Sequence, residues 1–317
     1  MGSAAEVEDT HLGMGTQMAH RAAGKNAAQA LAAVHREAQR LENLLSRFLP
    51  ESDVSRINRS AGVKREPVSA ETYGILSFAT ECSVASAGLF DVTAGPLIDL
   101  WDYRHASLPP EKERITAALP LVNYRDLELC PAENSAELRK TGQSLDLGGI
   151  GKGFASDRFM EIFHEYGVTS AWSNIGGNVS TLGSKPDGSP WRVGIRHPRQ
   201  NGLVGAVAVT GQSVVTSGDY ERYFIDSEGR RFHHILNPVT GYPADAGLLS
   251  ATVVAKSAMV ADAVSTAVFV VGLERGLAFV RNYQVEAVLV DAQLRVYVTR
   301  GLRRNYQASA GIKTSYI

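Results

Sequence analysis

The chain has 317 residues, of which 44% are hydrophobic and 21% are charged. This length suffices for a large hydrophobic core, and the composition excludes a disordered polymer and a membrane-embedded protein. The 32 basic and 33 acidic residues leave a formal net charge of −1, which argues against nucleic acid as a partner.

The ends and the cysteines narrow the class of protein further. Two cysteines exclude a disulfide framework and Cys-rich metal motifs. We expect two free thiols, and the alternative is a single bridge between Cys82 and Cys130. No apolar run reaches the length of a transmembrane helix, and we expect a soluble chain. Residues 1–9 are a polar lead, and Met1-Gly2-Ser3 is typical of residues left by cloning. The compartment is therefore open: cytoplasmic, or periplasmic-facing after removal of an export signal.

Helices dominate the predicted first half. Residues 10–18 are short enough for one strand, and apolar residues at steps of three and four over 27–48 predict an amphipathic helix. Residues 51–58 follow as a polar turn. Ser69 is the expected N-cap of a second helix, which Gly88 ends.

Loops and a third helix follow in the middle of the chain. Residues 90–96 are a predicted loop and 109–114 a predicted surface connection. The glycine-rich segment 145–153 precedes a third helix that Gly167 closes.

Short strands gather in the second half, with a hairpin turn at 227–229. They are predicted at 171–174, 191–195, 205–209, 220–225, 231–236 and 250–254. A last long helix begins near Ser257 and stops at Gly272, and residues 285–290 and 294–298 form a final hairpin. Because regular strand and helix alternation is missing, the pattern predicts an α+β fold with mainly antiparallel sheets and packed helices.

Glycines are densest in one loop and again at Gly176-Gly177. Gly148, Gly149, Gly151 and Gly153 surround Lys152 just before a helix, a pattern that lets backbone N–H groups approach phosphate oxygens. The spacing matches neither a Walker A loop nor G-x-G-x-x-G. The alternative is a tight strand-to-helix turn without a ligand.

Three oxygen-bearing residues share one face of the last long helix. Asp262 and Thr266 are four positions apart, with Ser265 between them. Hard oxygen ligands in this arrangement suit Mg²⁺. The alternative is that the hydroxyl groups bond to carbonyls of their own helix while the aspartate caps a neighbouring element.

Two adjacent histidines precede a turn. His233 and His234 lie before residues 237–241, whose proline and glycine predict a turn that places an imidazole at the rim of a cleft. The alternative is one inward and one outward imidazole without a catalytic role. Neither G-x-S-x-G nor H-E-x-x-H occurs, so serine-nucleophile and zinc chemistry have little support.

The order of the motifs along the chain resembles the FAD:protein FMN transferase (ApbE-type) family. The motifs are GMGT (13–16), SDVSRIN (52–58), FDVTAGPLIDLW (90–101), LDLGGIGKGFASD (145–157), NIGGN (174–178), TSGDYERYF (216–224), HHILNPVTGYP (233–243) and ADAVSTAVFVVG (261–272). The resemblance spans roughly residues 12–300 and implies one flavin transferase domain over 10–317, with a T-fold-like architecture of two closely associated lobes and the active site between them.

The resemblance also implies an activity. Members use Mg²⁺ to cleave the pyrophosphate of FAD, attach FMN through a phosphoester bond to a Thr or Ser of an acceptor flavoprotein, and release AMP. FAD is then a substrate and Mg²⁺ the cofactor. Two alternatives are an FAD pyrophosphatase that yields FMN and AMP, and a non-enzymatic flavin-binding protein.

The implied site residues follow from matching motif positions. The metal ligands are the Gly149 carbonyl, the Asp262 carboxylate, the Thr266 hydroxyl, and Ser265 through its backbone or its hydroxyl. The FAD-binding residues are Met14, Phe48, Leu89, Phe90, Asp91, Asp146, Lys152 and Ile235. His234 matches the catalytic position. Many members have alanine where this chain has Gly151, and aspartate where it has Asn237.

Overall fold

The computed structural model describes residues 6–317. Its helices are α1 (Ala27–Leu45), α2 (Asp53–Arg59), α3 (Ala70–Ala85), α4 (Gly95–Trp101), α5 (Lys112–Ala118), α6 (Gly151–Glu165), α7 (Ala258–Val271) and α8 (Leu273–Asn282). Among the described residues, no helix is long and apolar enough to cross a membrane.

The strands are mostly short and gather toward the C-terminal half. They are β1 (Glu6–Gly13), β2 (Thr16–Ala23), β3 (Glu66–Pro67), β4 (Leu127–Cys130), β5 (Ser135–Leu138), β6 (Ser170–Ile175), β7 (Asn178–Leu182), β8 (Trp191–Arg196), β9 (Leu203–Val209), β10 (Ser213–Gly218), β11 (Tyr223–Ile225), β12 (Arg231–His233), β13 (Leu248–Ala255), β14 (Glu286–Asp291), β15 (Val296–Val298), β16 (Tyr306–Ala308) and β17 (Thr314–Tyr316).

Nine of these strands form one sheet, in the order β1-β2-β6-β7-β10-β13-β14-β15-β17. All of its neighbouring strands pair antiparallel except β15 and β17. The predicted α+β fold with mainly antiparallel sheet is therefore confirmed.

Alternation along the strands gives the large sheet two apolar faces. Val215, Val253 and Leu289 belong to the main core, where the sheet packs against α1, α6 and α7. Val214 and Val254 point the other way, into a second core shared with the small sheet β16-β9-β8. Helix α7 lies over β10 and β13, which places the face of Asp262 above the middle of the sheet.

A smaller apolar cluster supports the region of the histidine motif. Trp101 is fully buried beside Ile115 and Leu236, and its indole N–H donates to the carbonyl of Gly241 at 2.8 Å. Phe224 and Phe232, from the hairpin β11–β12, pack against this cluster. The predicted turn at 227–229 does connect these two strands.

The N-terminal predictions need correction. Residues 10–18 are two strands of a hairpin, because Met14 (φ 49°) and Gly15 (φ 71°) both take the left-handed conformation of a tight turn. The predicted lead over residues 1–9 lies partly outside the described residues, and from Glu6 onward it is strand β1.

Other local predictions fail where tertiary contacts decide. The predicted turn at 51–58 contains α2, which Ser52 caps by accepting from the N–H of Ser55 at 2.9 Å. The predicted loop and connection at 90–96 and 109–114 contain the starts of α4 and α5. No strand was predicted at β7 or β10, and α8 was also missed.

Candidate active site

The glycine-rich loop brings α6 against α7. The backbone N–H of Gly153 donates to Oδ2 of Asp262 at 2.9 Å. A Cβ atom on Gly153 would lie 2.4 Å from the carbonyl oxygen of Ala258 and 2.7 Å from Cα of Met259. Only glycine lets the two helices approach this closely. The third helix therefore begins inside the predicted loop, at Gly151.

We expect Gly153→Ala to destabilise the fold, because backbone atoms of α7 would have to move. Overpacking of this kind costs on the order of 1 to 3 kcal/mol, and thermal unfolding measured by calorimetry should show a lower Tm. Gly151→Ala is the matched control, since its Cβ would find Leu147 Cβ at an ordinary 3.7 Å. A Tm for Gly153→Ala equal to that of Gly151→Ala would contradict this packing.

The predicted metal face is assembled on α7. Asp262 is only 3% exposed, and its Oδ1 accepts no hydrogen bond from residues 6–317. Thr266 lies one turn further along the helix. A Cβ on Gly149 would come within 3.4 Å of the Thr266 hydroxyl oxygen, so the glycine loop passes directly over this face.

A chain of hydroxyl groups orients the Thr266 oxygen. The Ser265 hydroxyl donates to the carbonyl of Asp262 at 3.0 Å. For Ser265, the predicted alternative of a hydrogen bond within its own helix is therefore present. Ser217 of β10 lies 2.9 Å from Ser265 Oγ and 3.1 Å from Thr266 Oγ1. Each hydroxyl has one proton, and that of Ser265 is already donated to Asp262. Ser217 therefore donates to Ser265 and accepts from Thr266. The lone pairs of Thr266 then remain available.

These donors fit Mg²⁺. Asp262, Thr266, Ser265 and the backbone of Gly149 offer only oxygen atoms, the ligands that this ion prefers. A carboxylate this buried is costly unless a cation or hydrogen bonds compensate it. Lys152 supplies part of that charge, with its Nζ 3.5 Å from Asp262 Oδ2 and donating to the carbonyl of Gly148 at 2.8 Å.

Asp157 fixes the start of α7, a role that the sequence reasoning missed. Its carboxylate accepts from the N–H groups of Ala258 at 2.6 Å and Met259 at 3.0 Å, and from the hydroxyl of Ser257 at 2.6 Å. A negative charge at a helix N-terminus is favourable. Burial nevertheless raises the pKa of Asp157. The carboxylate therefore ties α6 to the helix that carries Asp262.

His234 is held in one tautomer at the end of β12. Its backbone N–H and its Nδ1 both lie near the carbonyl of Arg222, at 3.0 and 3.2 Å. A carbonyl only accepts, so Nδ1 carries the proton and Nε2 is the unprotonated nitrogen. Burial lowers the pKa of His234 to about 3, and the charges of Arg222 and Lys152 add to this effect.

His233, by contrast, stabilises the local backbone. It is buried, lies 3.0 Å from the carbonyl of Ala244 through Nε2, and accepts from the N–H of Ile235 through Nδ1. Asn237 forms the following turn by accepting from the N–H groups of Val239 and Thr240. The family's aspartate position thus shapes the loop without a bond to His234.

Positive charges border the predicted FAD residues at the start of the glycine loop. Arg47 donates to Oδ2 of Asp146 at 3.1 Å, while Oδ1 of Asp146 accepts from the N–H of Gly148 at 2.8 Å. Phe48 is 68% exposed, beyond the end of α1, with the guanidinium of Arg104 5.4 Å from its ring centre. Neither arginine was predicted from the sequence.

Met14 lies at the turn between β1 and β2, half-buried against the main core. Its neighbour Gly15 approaches Arg104, since a Cβ there would lie 3.5 Å from a guanidinium nitrogen. The turn and the exposed Phe48 ring are therefore joined through Arg104.

The segment 89–91 packs against the glycine-rich loop. Leu89 and Ile235 pack in the main core, and Phe90 is buried with its ring 3.4 Å from where a Gly149 Cβ would stand. Asp91 accepts from the N–H groups of Thr93 and Tyr124, each at 2.8 Å. Burial raises the pKa of Asp91. Both of its oxygens are thus engaged within the protein.

The chain resembles known proteins over most of its length. A model of the ApbE family matches residues 14–289. The FAD:protein FMN transferase of Klebsiella pneumoniae (strain 342) is 36% identical over 256 residues, 80% of this chain and 79% of that protein. The FAD:protein FMN transferase of Treponema pallidum (strain Nichols) is 33% identical over 282 residues, 83% of this chain and 77% of that protein.

Solved structures show the same fold. The crystal structure of the ApbE protein of Thermotoga maritima superposes with a TM-score of 0.88 at 29% identity, covering 96% of this chain and all of that one (100%). The family match spans most of the chain, and both the relatives and the fold agree with it. The chain therefore belongs to the ApbE family.

Proposed function

We propose that this chain is a Mg²⁺-dependent FAD:protein FMN transferase. The observation that carries the proposal is the buried Asp262 carboxylate, whose Oδ1 accepts no hydrogen bond from residues 6–317, next to the Thr266 hydroxyl and under a glycine loop. The two relatives described above are named FAD:protein FMN transferase, which supports the transfer of FMN but does not bear on Mg²⁺. The proposal treats residues 10–317 as one domain, because the main core takes residues from Met18 to Leu289.

Asp262, Thr266, Ser265 and the Gly149 carbonyl would hold Mg²⁺. When bound, this ion neutralises charge on the FAD diphosphate as the phosphoryl group is transferred. The glycine loop lets the diphosphate approach the backbone closely, and Lys152 adds a positive charge beside it. Phosphoryl transfer depends mainly on such positioning and charge neutralisation.

His234 would act as the general base. The hydroxyl oxygen of the acceptor Thr or Ser attacks the phosphorus of the FMN half, and the P–O bond to AMP breaks. The hydroxyl proton moves to Nε2 of His234, which the Arg222 carbonyl leaves unprotonated. The products are a phosphoester-linked FMN on the acceptor and AMP.

The flavin and adenine would extend along the rim of the site. Phe48 offers an exposed ring face for stacking, and Met14 lies in the same neighbourhood through Arg104. Both oxygens of Asp146 already accept hydrogen bonds, from Arg47 and Gly148, and a second lone pair on each could accept one from a ring edge. Asp91, Leu89, Phe90 and Ile235 would act by shaping the pocket wall, since their side chains are engaged or packed within the protein.

We expect Ser217→Ala to weaken Mg²⁺ activation about 10-fold, the range seen when residues behind a metal ligand are removed. The substitution takes away the acceptor of the Thr266 proton. The measurement is the Mg²⁺ concentration that gives half-maximal rate. Ser213→Ala is the matched control, because Ser213 lies on the same strand and pairs with Ser180 at 2.8 Å. Equal Mg²⁺ dependence of the two variants would remove this role.

Incubation with FAD and Mg²⁺ tests whether the chain is an enzyme at all. We expect AMP to appear when an acceptor protein with a Thr or Ser flavinylation motif is present, and chelation with EDTA should stop it. FAD bound without AMP release would mean a flavin-binding protein. AMP release at the same rate without the acceptor would instead indicate a pyrophosphatase.

A further inference from the structure

A second group of ligand-bearing side chains lies between β1 and α1 and shares no residue with the site above. Asp9 and His11 alternate on the face of β1 that is turned toward α1. Nδ1 of His11 lies 3.1 Å from Oδ2 of Asp9, and Nδ1 of His35 on α1 lies 4.0 Å from the same oxygen. The ring centres of His11 and His35 are 4.3 Å apart. Two imidazoles and a carboxylate therefore converge.

His20 adds a third imidazole beside this group. It pairs across the strands with Asp9, and its ring centre is 5.1 Å from that of His11. The side chain is buried, with Nδ1 bonded to the hydroxyl of Ser173 at 2.8 Å. Ser173 lies on β6, on the side of β2 opposite to β1, so Nε2 of His20 points away from Ser173.

The hydrogen bonding of the cluster is incomplete. Nε2 of His11 and Nε2 of His20 are buried without a hydrogen-bond partner among residues 6–317. Buried polar atoms normally have a partner, and water or an ion can supply one that is missing. One ligand atom from each of Asp9, His11 and His35 lies within 4.8 Å of the others.

We infer that Asp9, His11 and His35 bind a divalent transition metal, with zinc the best fit. Zinc takes imidazole nitrogen and carboxylate oxygen at about 2.0–2.1 Å, so tetrahedral ligand atoms stand about 3.4 Å apart. The observed separations of 3.1 and 4.0 Å lie on either side of this spacing. Imidazole ligands favour zinc over Mg²⁺. Asp9 and His35 are 41% exposed, which leaves an open path for the ion and a water ligand.

Such an ion would cross-link the edge strand β1 to helix α1. Among the described strands, β1 is the outermost of the large sheet and pairs with β2 alone. A metal bridging Asp9 and His11 to His35 ties β1 to α1. It would also steady the turn that carries Met14, which directly follows β1. Because the ion binds the folded chain, it should raise Tm.

The test is zinc titration of the full chain, without a histidine tag, stripped by a chelator and then saturated with Mg²⁺. We expect one zinc ion per chain by calorimetry, a rise in Tm, and the visible absorption of a tetrahedral site when Co²⁺ replaces zinc. His35→Gln should weaken binding at least about 10-fold. Because His35 is partly exposed on a helix, this variant should keep the Tm of the parent when zinc is absent.

His105→Gln is the matched control. His105 also pairs with an aspartate, Asp102 at 2.9 Å, but on an exposed segment that belongs to no cluster of three ligands among residues 6–317. Its zinc affinity should equal that of the parent. Zinc binding that survives His35→Gln, or that is absent in the parent, overturns the inference. Binding lost in Asp262→Asn but kept in His35→Gln would place the ion in the Mg²⁺ site instead.

Discussion

Asp262→Asn is expected to lower Mg²⁺-dependent AMP release by on the order of 100-fold or more. A bound cation supplies several kcal/mol of charge stabilisation during phosphoryl transfer, and about 1.4 kcal/mol corresponds to a factor of ten in rate. Asparagine removes the charge that would hold the ion. Its side-chain oxygen can still accept from the N–H of Gly153, so the packing of α6 on α7 should survive.

The measurement is the initial rate of AMP release against Mg²⁺ concentration, together with Tm. Asp187→Asn serves as a control, because Asp187 only accepts hydrogen bonds from Ser189 in an exposed turn. We expect it to match the parent. A variant of Asp262 that keeps the parental rate at low Mg²⁺ would contradict the metal assignment, while a large loss of Tm would show that its role is structural.

His234→Gln is expected to reduce kcat by about 10²–10⁴, the usual contribution of a general base, while the Kd for FAD changes little. The base acts on the acceptor hydroxyl, so its loss affects the chemical step rather than FAD binding. His164→Gln is the matched control, since His164 is exposed on α6. If His234→Gln instead abolished FAD binding, the histidine would be a binding residue.

The pH profile gives an independent check on His234. Burial lowers the pKa of the imidazole to about 3, so the neutral base is present above that pH and is lost only as the pH falls through it. kcat/KM should therefore stay flat from about pH 7.5 down to about pH 5.5. An ordinary imidazole, with a pKa of about 6.5, would lose about tenfold over that range. An acidic limb near 6.5 that disappears in His234→Gln would contradict this environment.

Local sequence signals were sufficient where the residues that define an element lie within that element. The apolar stripe and Ser257 predicted α7, and the structure shows Ser257 accepting from the N–H of Val260. They were insufficient where a polar segment depends on distant partners. Helix α2 was missed because Asp53 is held by the N–H of Ser69 and the hydroxyl of Thr72, contacts that no local pattern reveals.

The same limit applies to the candidate site. Asp262, Ser265 and Thr266 share a helix, so their common face could be predicted from spacing alone. Ser217 and Asp157 reach that face from β10 and α6. Nothing near either residue in the chain points to Asp262, and only the packing of these elements brings them together.

The histidine cluster shows this limit most clearly. His11 lies on a strand and His35 on a helix, at a spacing that matches no known zinc motif. Their meeting depends on α1 packing across β1. The absence of an H-E-x-x-H motif gave zinc little support in the sequence, although these side chains converge in the folded chain.

The mass of an intact acceptor protein tests the central claim most directly. A purified acceptor with a Thr or Ser flavinylation motif is incubated with this chain, FAD and Mg²⁺, beside the same acceptor with the motif hydroxyl replaced by alanine. We predict that the first gains the mass of one FMN less one water, in step with AMP release, and that the second gains nothing. AMP release with no flavin on the acceptor would contradict transfer.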